Sequence, residues 1–128
     1  MLTPDGCRAR QQRFNQRLEA AGIPAAVISE PRDIYYLTGL LPELKTFPYP
    51  NLLFIGPGQK SWLVTGASTG AAVVDERLPY PINTLFTFNP DNHSRAAQLV
   101  RDRSRASQGL PILGYQREAL PHSLALAL

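Results

Sequence analysis

Few groups in this sequence could do chemistry, and each needs a partner at the right spacing. GPGQKS, Gly56 to Ser61, imitates a phosphate-binding loop. Such a loop needs glycine directly before its lysine and a helix straight after. Here Gln59 precedes Lys60, the strand-like SWLV follows, and Pro57 removes an N–H that a phosphate nest would use. The stretch reads as a hairpin turn. TGASTG, Thr65 to Gly70, lies between a strand and an expected helix, where an anion could bind. It lacks a lysine and the G-x-G-x-x-G pattern, so Ser68 and Thr69 read as helix caps. His93 and His122 have no acid or cysteine spaced to complete a metal site. Ser29 lacks the glycines of a nucleophile elbow, and Cys7 falls on a helix face as a small core residue. Asp75 and Glu76 are adjacent, which points them to different sides of a helix. A polar group becomes a catalyst only beside a positioned partner, so the chain alone is expected to be inactive.

The composition describes one globular domain. The chain has 128 residues, 44% hydrophobic and 18% charged, enough for a single core. Eleven of its thirteen basic residues are arginine, and the net charge is only +3. That mild excess reads as a solvated basic surface, and nucleic acid is not an expected partner. Cys7 is the only cysteine, which excludes an intrachain disulfide. No apolar run reaches the ~20 residues that cross a bilayer, and the polar N-terminus is unlike a secretory signal. No membrane partner and a reduced, cytoplasmic setting are expected.

The elements follow from pattern. Pro4 to Ala21 reads as an amphipathic helix, with Thr3 as cap and Pro4 in the first position. Cys7, Phe14, Leu18 and Ala21 lie on its inner face, Arg10, Arg13 and Arg17 are placed opposite, and Gly22 stops it. PAAVIS, Pro24 to Ser29, is a buried strand. In RDIYYLTGL, Arg32 to Leu40, Asp33 caps a short helix, and Ile34, Leu37 and a largely buried Tyr36 face inward. Thr38 and Gly39 end that helix, and Tyr35 is the more exposed tyrosine. LPELKTFPYP is a proline-rich loop, and Asn51 to Gly66 a β-hairpin. A weak helix over ASTGAAVVDERL, a strand at Ile82 to Phe88 and a helix opened by Asn89 and Pro90 come next. The helix opened by Asn89 buries Ala96, Leu99, Val100 and the stem of Arg103, with Arg95, Arg101 and Arg105 outside, and ends at Gly109. LPILGY is a final strand, and a helix begins in REALPHSLALAL. This alternation predicts helices over a mixed sheet of about five strands.

A helix, a glycine, the strand AAVIS, the run EPRDIYYLTGL and the hairpin NLLFIGPGQKSWLVTG occur in an order that resembles the N-terminal domain of the creatinase, prolidase and aminopeptidase P family. The likeness is carried by Arg8 to Gly66, and the remainder matches in order of elements. It implies a ribonuclease H-like α/β fold for a single domain over 1–128. It also implies that catalysis belongs to a C-terminal pita-bread domain, none of which lies in these residues. In the peptidase members that domain holds a dinuclear metal centre (manganese, cobalt or zinc), so no cofactor is expected in this chain.

The resemblance further implies a supporting role: packing in a homo-oligomer, and a loop that closes the substrate pocket of the catalytic domain. The proline-rich loop suits that task, with Phe47 and Tyr49 as aromatic walls and Lys45 as a charge contact. Asp33, Tyr36, Leu37, Thr38 and Gly39 form the structural signature. The segment Ser68 to Val74 is a second approach to the partner site. The parent would be an Xaa-Pro peptidase or creatinase-like hydrolase. The alternatives are a free-standing peptide- or protein-binding module, and an enzyme with its own site near GASTG.

Overall fold

The computed structural model describes residues 2–41, 49–66, 70–82, 92–106, 113–116 and 118–126. Helix α1, Pro4–Ala20, begins as its sequence dictates: the Thr3 hydroxyl accepts the Gly6 N–H at 3.2 Å, and Pro4 opens the first turn. Gly22, at φ 69°, turns the chain into strand β1, Ala25–Ile28. Helix α2, Pro31–Thr38, ends at Gly39 with φ 77°, a left-handed conformation in which any side chain is strained. Strands β2, Leu52–Ile55, and β3, Trp62–Thr65, form the expected hairpin, and Gly58 takes the left-handed position in its turn.

After the hairpin the structure departs from the sequence pattern. No helix is found among the described residues of 70–78; strand β4, Glu76–Pro79, lies there instead. ERLP carries no period-two alternation because the strand is only partly buried. It is held by parallel pairing of Trp62 with Glu76 through Thr65 with Pro79, a long-range partner that local pattern cannot reveal. Ser68 and Thr69, read as caps, lie outside the described residues, as do residues 83–88 of the expected strand and Asn89, Pro90 and Gly109. Helix α3, Asn92–Ala106, strand β5, Leu113–Tyr115, and helix α4, His122–Ala125, complete the described chain.

The five strands form one mixed sheet in the order β4-β3-β2-β1-β5, antiparallel at its centre and parallel at both sides. Every residue of β1, β2 and β3 is buried. Successive strand side chains point to opposite faces, so both faces are covered. Helices α1 and α2 pack together, as do α3 and α4. On the α3 side the Phe54 and Trp62 rings stack with centroids 3.6 Å apart, and Arg103 lies over Trp62 at 5.7 Å. The buried side of α3 is as read from its pattern: Ala96 and Val100 are buried and Leu99 packs against the core. Cys7 is fully buried. Among the described residues no helix is long and apolar enough to cross a membrane.

Candidate functional site

The loop that follows α2 was the site expected from sequence, and the structure describes the feet on which it stands. Residues 42–48 lie outside the described residues, Lys45 and Phe47 among them. The entering foot is built from Leu37, Thr38 and Leu40, all buried. The Thr38 hydroxyl donates to the Ile34 carbonyl at 2.7 Å and accepts the Leu40 N–H at 3.1 Å, so one side chain ends the helix and sets the first residue of the exit. Gly39 supplies the turn between them, as expected.

Gln11 of α1 reinforces this foot from the side. Its Nε2 donates to the Leu37 carbonyl at 2.9 Å and to the Val73 carbonyl at 2.7 Å, and the Val73 N–H donates to the Thr38 carbonyl at 2.8 Å. One amide thus ties α1, the end of α2 and the segment before β4. The sequence reading missed Gln11, yet it sits four residues after Cys7 and seven before Leu18, on the apolar stripe itself. A polar residue on a core stripe signals a buried hydrogen-bonding duty.

The returning foot is equally fixed. Tyr49, expected as an aromatic wall of the pocket, is instead 9% exposed and packed into the core of this chain, so its ring does not face a pocket. A Cβ at Gly66 would come within 2.9 Å of the Tyr49 ring, so the glycine makes room for it. The Tyr80 hydroxyl donates to the Pro50 carbonyl. Burial, and secondarily the neighbouring Tyr49, pushes the Tyr80 phenol well above the usual tyrosine range, so it stays a donor at physiological pH. Next along the chain, the Thr65 hydroxyl donates to Asn51 Oδ1 at 2.6 Å, both residues being buried.

Two of the signature residues differ from expectation. Tyr36 is 54% exposed, while Tyr35 is only partly so. On the short α2, Ile34, Leu37 and Thr38 occupy the buried stripe, which turns residue 36 outward; Arg10 holds it there, its guanidinium 4.8 Å from the ring centroid. Asp33 is not the cap. Glu30 holds that position without a side-chain bond, because Pro31 starts the helix earlier. Asp33 instead lies in the first turn and accepts from Gln116 Nε2. The Gln116 Oε1 accepts the N–H groups of Ser29 and Glu30, each at 2.8 Å, joining the end of β5 to the start of α2. No local signal marks Gln116, whose partners are more than eighty residues away.

A second polar cluster holds β4. Asp75 accepts from the Ser61 N–H at 2.7 Å and the Ser61 hydroxyl at 2.9 Å, and pairs with Arg8 at 3.3 Å. The Ser61 backbone bond, assisted by the Ser61 hydroxyl and Arg8 and opposed by partial burial, holds its carboxyl below the usual aspartate value. His93 is partly buried in the first turn of α3. Among the described residues no three His, Cys, Asp or Glu side chains gather where a metal ion could be held.

A family model for the creatinase/prolidase N-terminal domain matches residues 10–128. The chain belongs to that family. It is 29% identical over 124 residues to the uncharacterized hydrolase/peptidase y4tM of Sinorhizobium fredii, an alignment that covers 89% of this chain and 31% of that protein. The chain therefore spans less than a third of the length of this curated relative. Among solved structures, an Xaa-Pro aminopeptidase from Streptococcus pyogenes superposes with TM-score 0.65 at 14% identity, covering 98% of this chain and 84% of the other. The N-terminal domain of an Xaa-Pro dipeptidase from Lactobacillus brevis gives 0.62 at 15% identity, covering 92% and 87%. A proline dipeptidase from Streptococcus pneumoniae gives 0.58 at 21%, covering 91% and 80%. At these identities the likeness establishes a shared fold: a mixed five-stranded sheet flanked by helices.

Proposed function

We propose that this chain is the non-catalytic N-terminal domain of a creatinase/prolidase-like hydrolase. It supports oligomer assembly, and its proline-rich loop helps to close the substrate pocket of a C-terminal catalytic domain. The observation that carries this reading is the clamping of both loop feet. Gln11 and Thr38 fix the exit from α2, and Tyr80 and Gly66 fix the return at Tyr49 and Pro50. Feet fixed by hydrogen bonds set where the chain leaves and rejoins the fold, and that support favours a pocket-wall role for the segment between them. Lys45 and Phe47 supply the charge and the aromatic face, and Tyr49 anchors the returning strand. The metal of such a hydrolase, whether manganese, cobalt or zinc, belongs to the catalytic domain.

Two measurements test the proposal. The isolated chain with added manganese should leave Xaa-Pro dipeptides and creatine intact; turnover by the chain alone would overturn it. In a full-length protein carrying this domain, Phe47→Ala and Lys45→Ala should raise KM while the melting temperature holds. Unchanged KM for both would remove the pocket role, and a strict monomer on sedimentation would remove the assembly role.

A further inference from the structure

A surface cleft of about 450 Å³ opens between α1, α2 and the β1–β5 side of the sheet, and Leu37 is the one residue it shares with the loop feet. Its apolar floor includes Phe14 and Leu18 of α1, Ile28 of β1 and Leu37 of α2. Gly114 lies on the same sheet face as Ala26, its register partner, and its missing side chain leaves that floor open. Contrary to the sequence reading, Arg10, Arg13 and Arg17 do not stand opposite the apolar stripe: all of them line this cleft beside Phe14 and Leu18. Arg10 is engaged, its Nε donating to the Tyr36 carbonyl at 2.5 Å and its guanidinium packing on the Tyr36 ring. That contact holds Tyr36 as an exposed aromatic wall. Arg13 and Arg17 are exposed and, among the described residues, make no ion pair. The nearest carboxylate in the cleft, Asp33, is bonded to Gln116.

We propose that this cleft binds an extended acidic peptide segment of the form Glu-apolar-Glu. Arg13 and Arg17 are four residues apart on a helix, about 6 Å along its axis. Alternate residues of an extended chain are about 6.6 Å apart on one side. Two glutamates flanking an apolar residue therefore meet the two guanidiniums, and the residue between them points to the opposite side, toward the Tyr36 wall. A second copy of this chain is a poor occupant, because the same face would set arginine against arginine on a chain of net charge +3. This role is independent of the proline-rich loop and of any catalytic domain.

The test is fluorescence anisotropy of the whole chain with a labelled, amidated peptide, Gly-Glu-Leu-Glu-Phe-Gly. Arg13→Glu with Arg17→Glu should weaken binding tenfold or more, and Tyr36→Ala several-fold. Arg101→Glu with Arg105→Glu, exposed on α3, should leave it within twofold. A peptide with glutamine in place of glutamate should bind at least tenfold more weakly, and one with adjacent glutamates should also lose affinity. Equal binding of the glutamine peptide, or equal loss in the α3 variant, would overturn the proposal. So would flotation with phosphatidylserine vesicles that depends on Arg13 and Arg17 while the peptide stays unbound, since that result assigns the arginines to a lipid surface.

Discussion

Replacing Gln11 with methionine tests the clamp most directly. Methionine matches the length and helix propensity of glutamine but neither donates nor accepts comparably, so Gln11→Met deletes the bonds to Leu37 and Val73 together with the long 3.4 Å bond that Gln11 Oε1 accepts from Arg8. The Leu37 carbonyl is left buried and unpaired, which costs about 1–3 kcal/mol. The Val73 carbonyl is partly buried, so water recovers some of its bond and the loss is about 0.5–1.5 kcal/mol. The apolar methionine in a buried site returns about 1 kcal/mol. The net expectation is about 2 kcal/mol. Unfolding entropy of about 2.1 cal/mol/K per residue gives about 0.27 kcal/mol/K for the chain, so the melting temperature should fall by about 7 °C. Urea titration should show a lower midpoint with an unchanged slope, and the Val73 amide should exchange faster. Gln12→Met, one residue along and exposed, should stay within about 0.5 kcal/mol. A Gln11→Met chain as stable as the parent, or a Gln12→Met chain that loses as much, would refute the clamp.

Gly39→Ala should lower stability by about 1–2 kcal/mol in the same titration, because φ is 77° there and a Cβ would meet Cys7 Sγ at an ordinary 3.5 Å; the cost is conformational, and Gly39→Asn should be milder. Tyr80→Phe should cost about 1–2 kcal/mol at neutral pH by freeing the Pro50 carbonyl. The raised Tyr80 ionisation stabilises the fold below the unfolded tyrosine value, about pH 10, and that contribution is lost as pH rises beyond it; the gap between parent and Tyr80→Phe should narrow in alkaline melts. Asp75 has the opposite sign. Its carboxyl is held below the usual value, so its contribution is present above about pH 4 and lost as pH falls further. Asp75→Asn should therefore be less stable than the parent at neutral pH, and the difference should shrink in acid.

Local chemistry decided much of this protein. Thr3 and Pro4 begin α1, Gly22 and Gly39 take left-handed conformations that favour glycine, and the branched runs AAVI, LLFI and WLVT are buried on both faces as strands. These depend on steric limits and apolar burial that act within a few residues, so they are written in the order of the letters. The run YYLTG and the hairpin that follows carry the family likeness for the same reason. Tertiary structure alone decided the rest. ERLP became β4 because β3 offered it a partner. Tyr36 turned outward because Ile34, Leu37 and Thr38 took the core side of a two-turn helix. Gln11 and Gln116 became ties because carbonyls and amides distant in sequence came within hydrogen-bond reach. Pairing between distant segments is a property of the assembled sheet and its packed helices, and no stretch of neighbouring residues contains it.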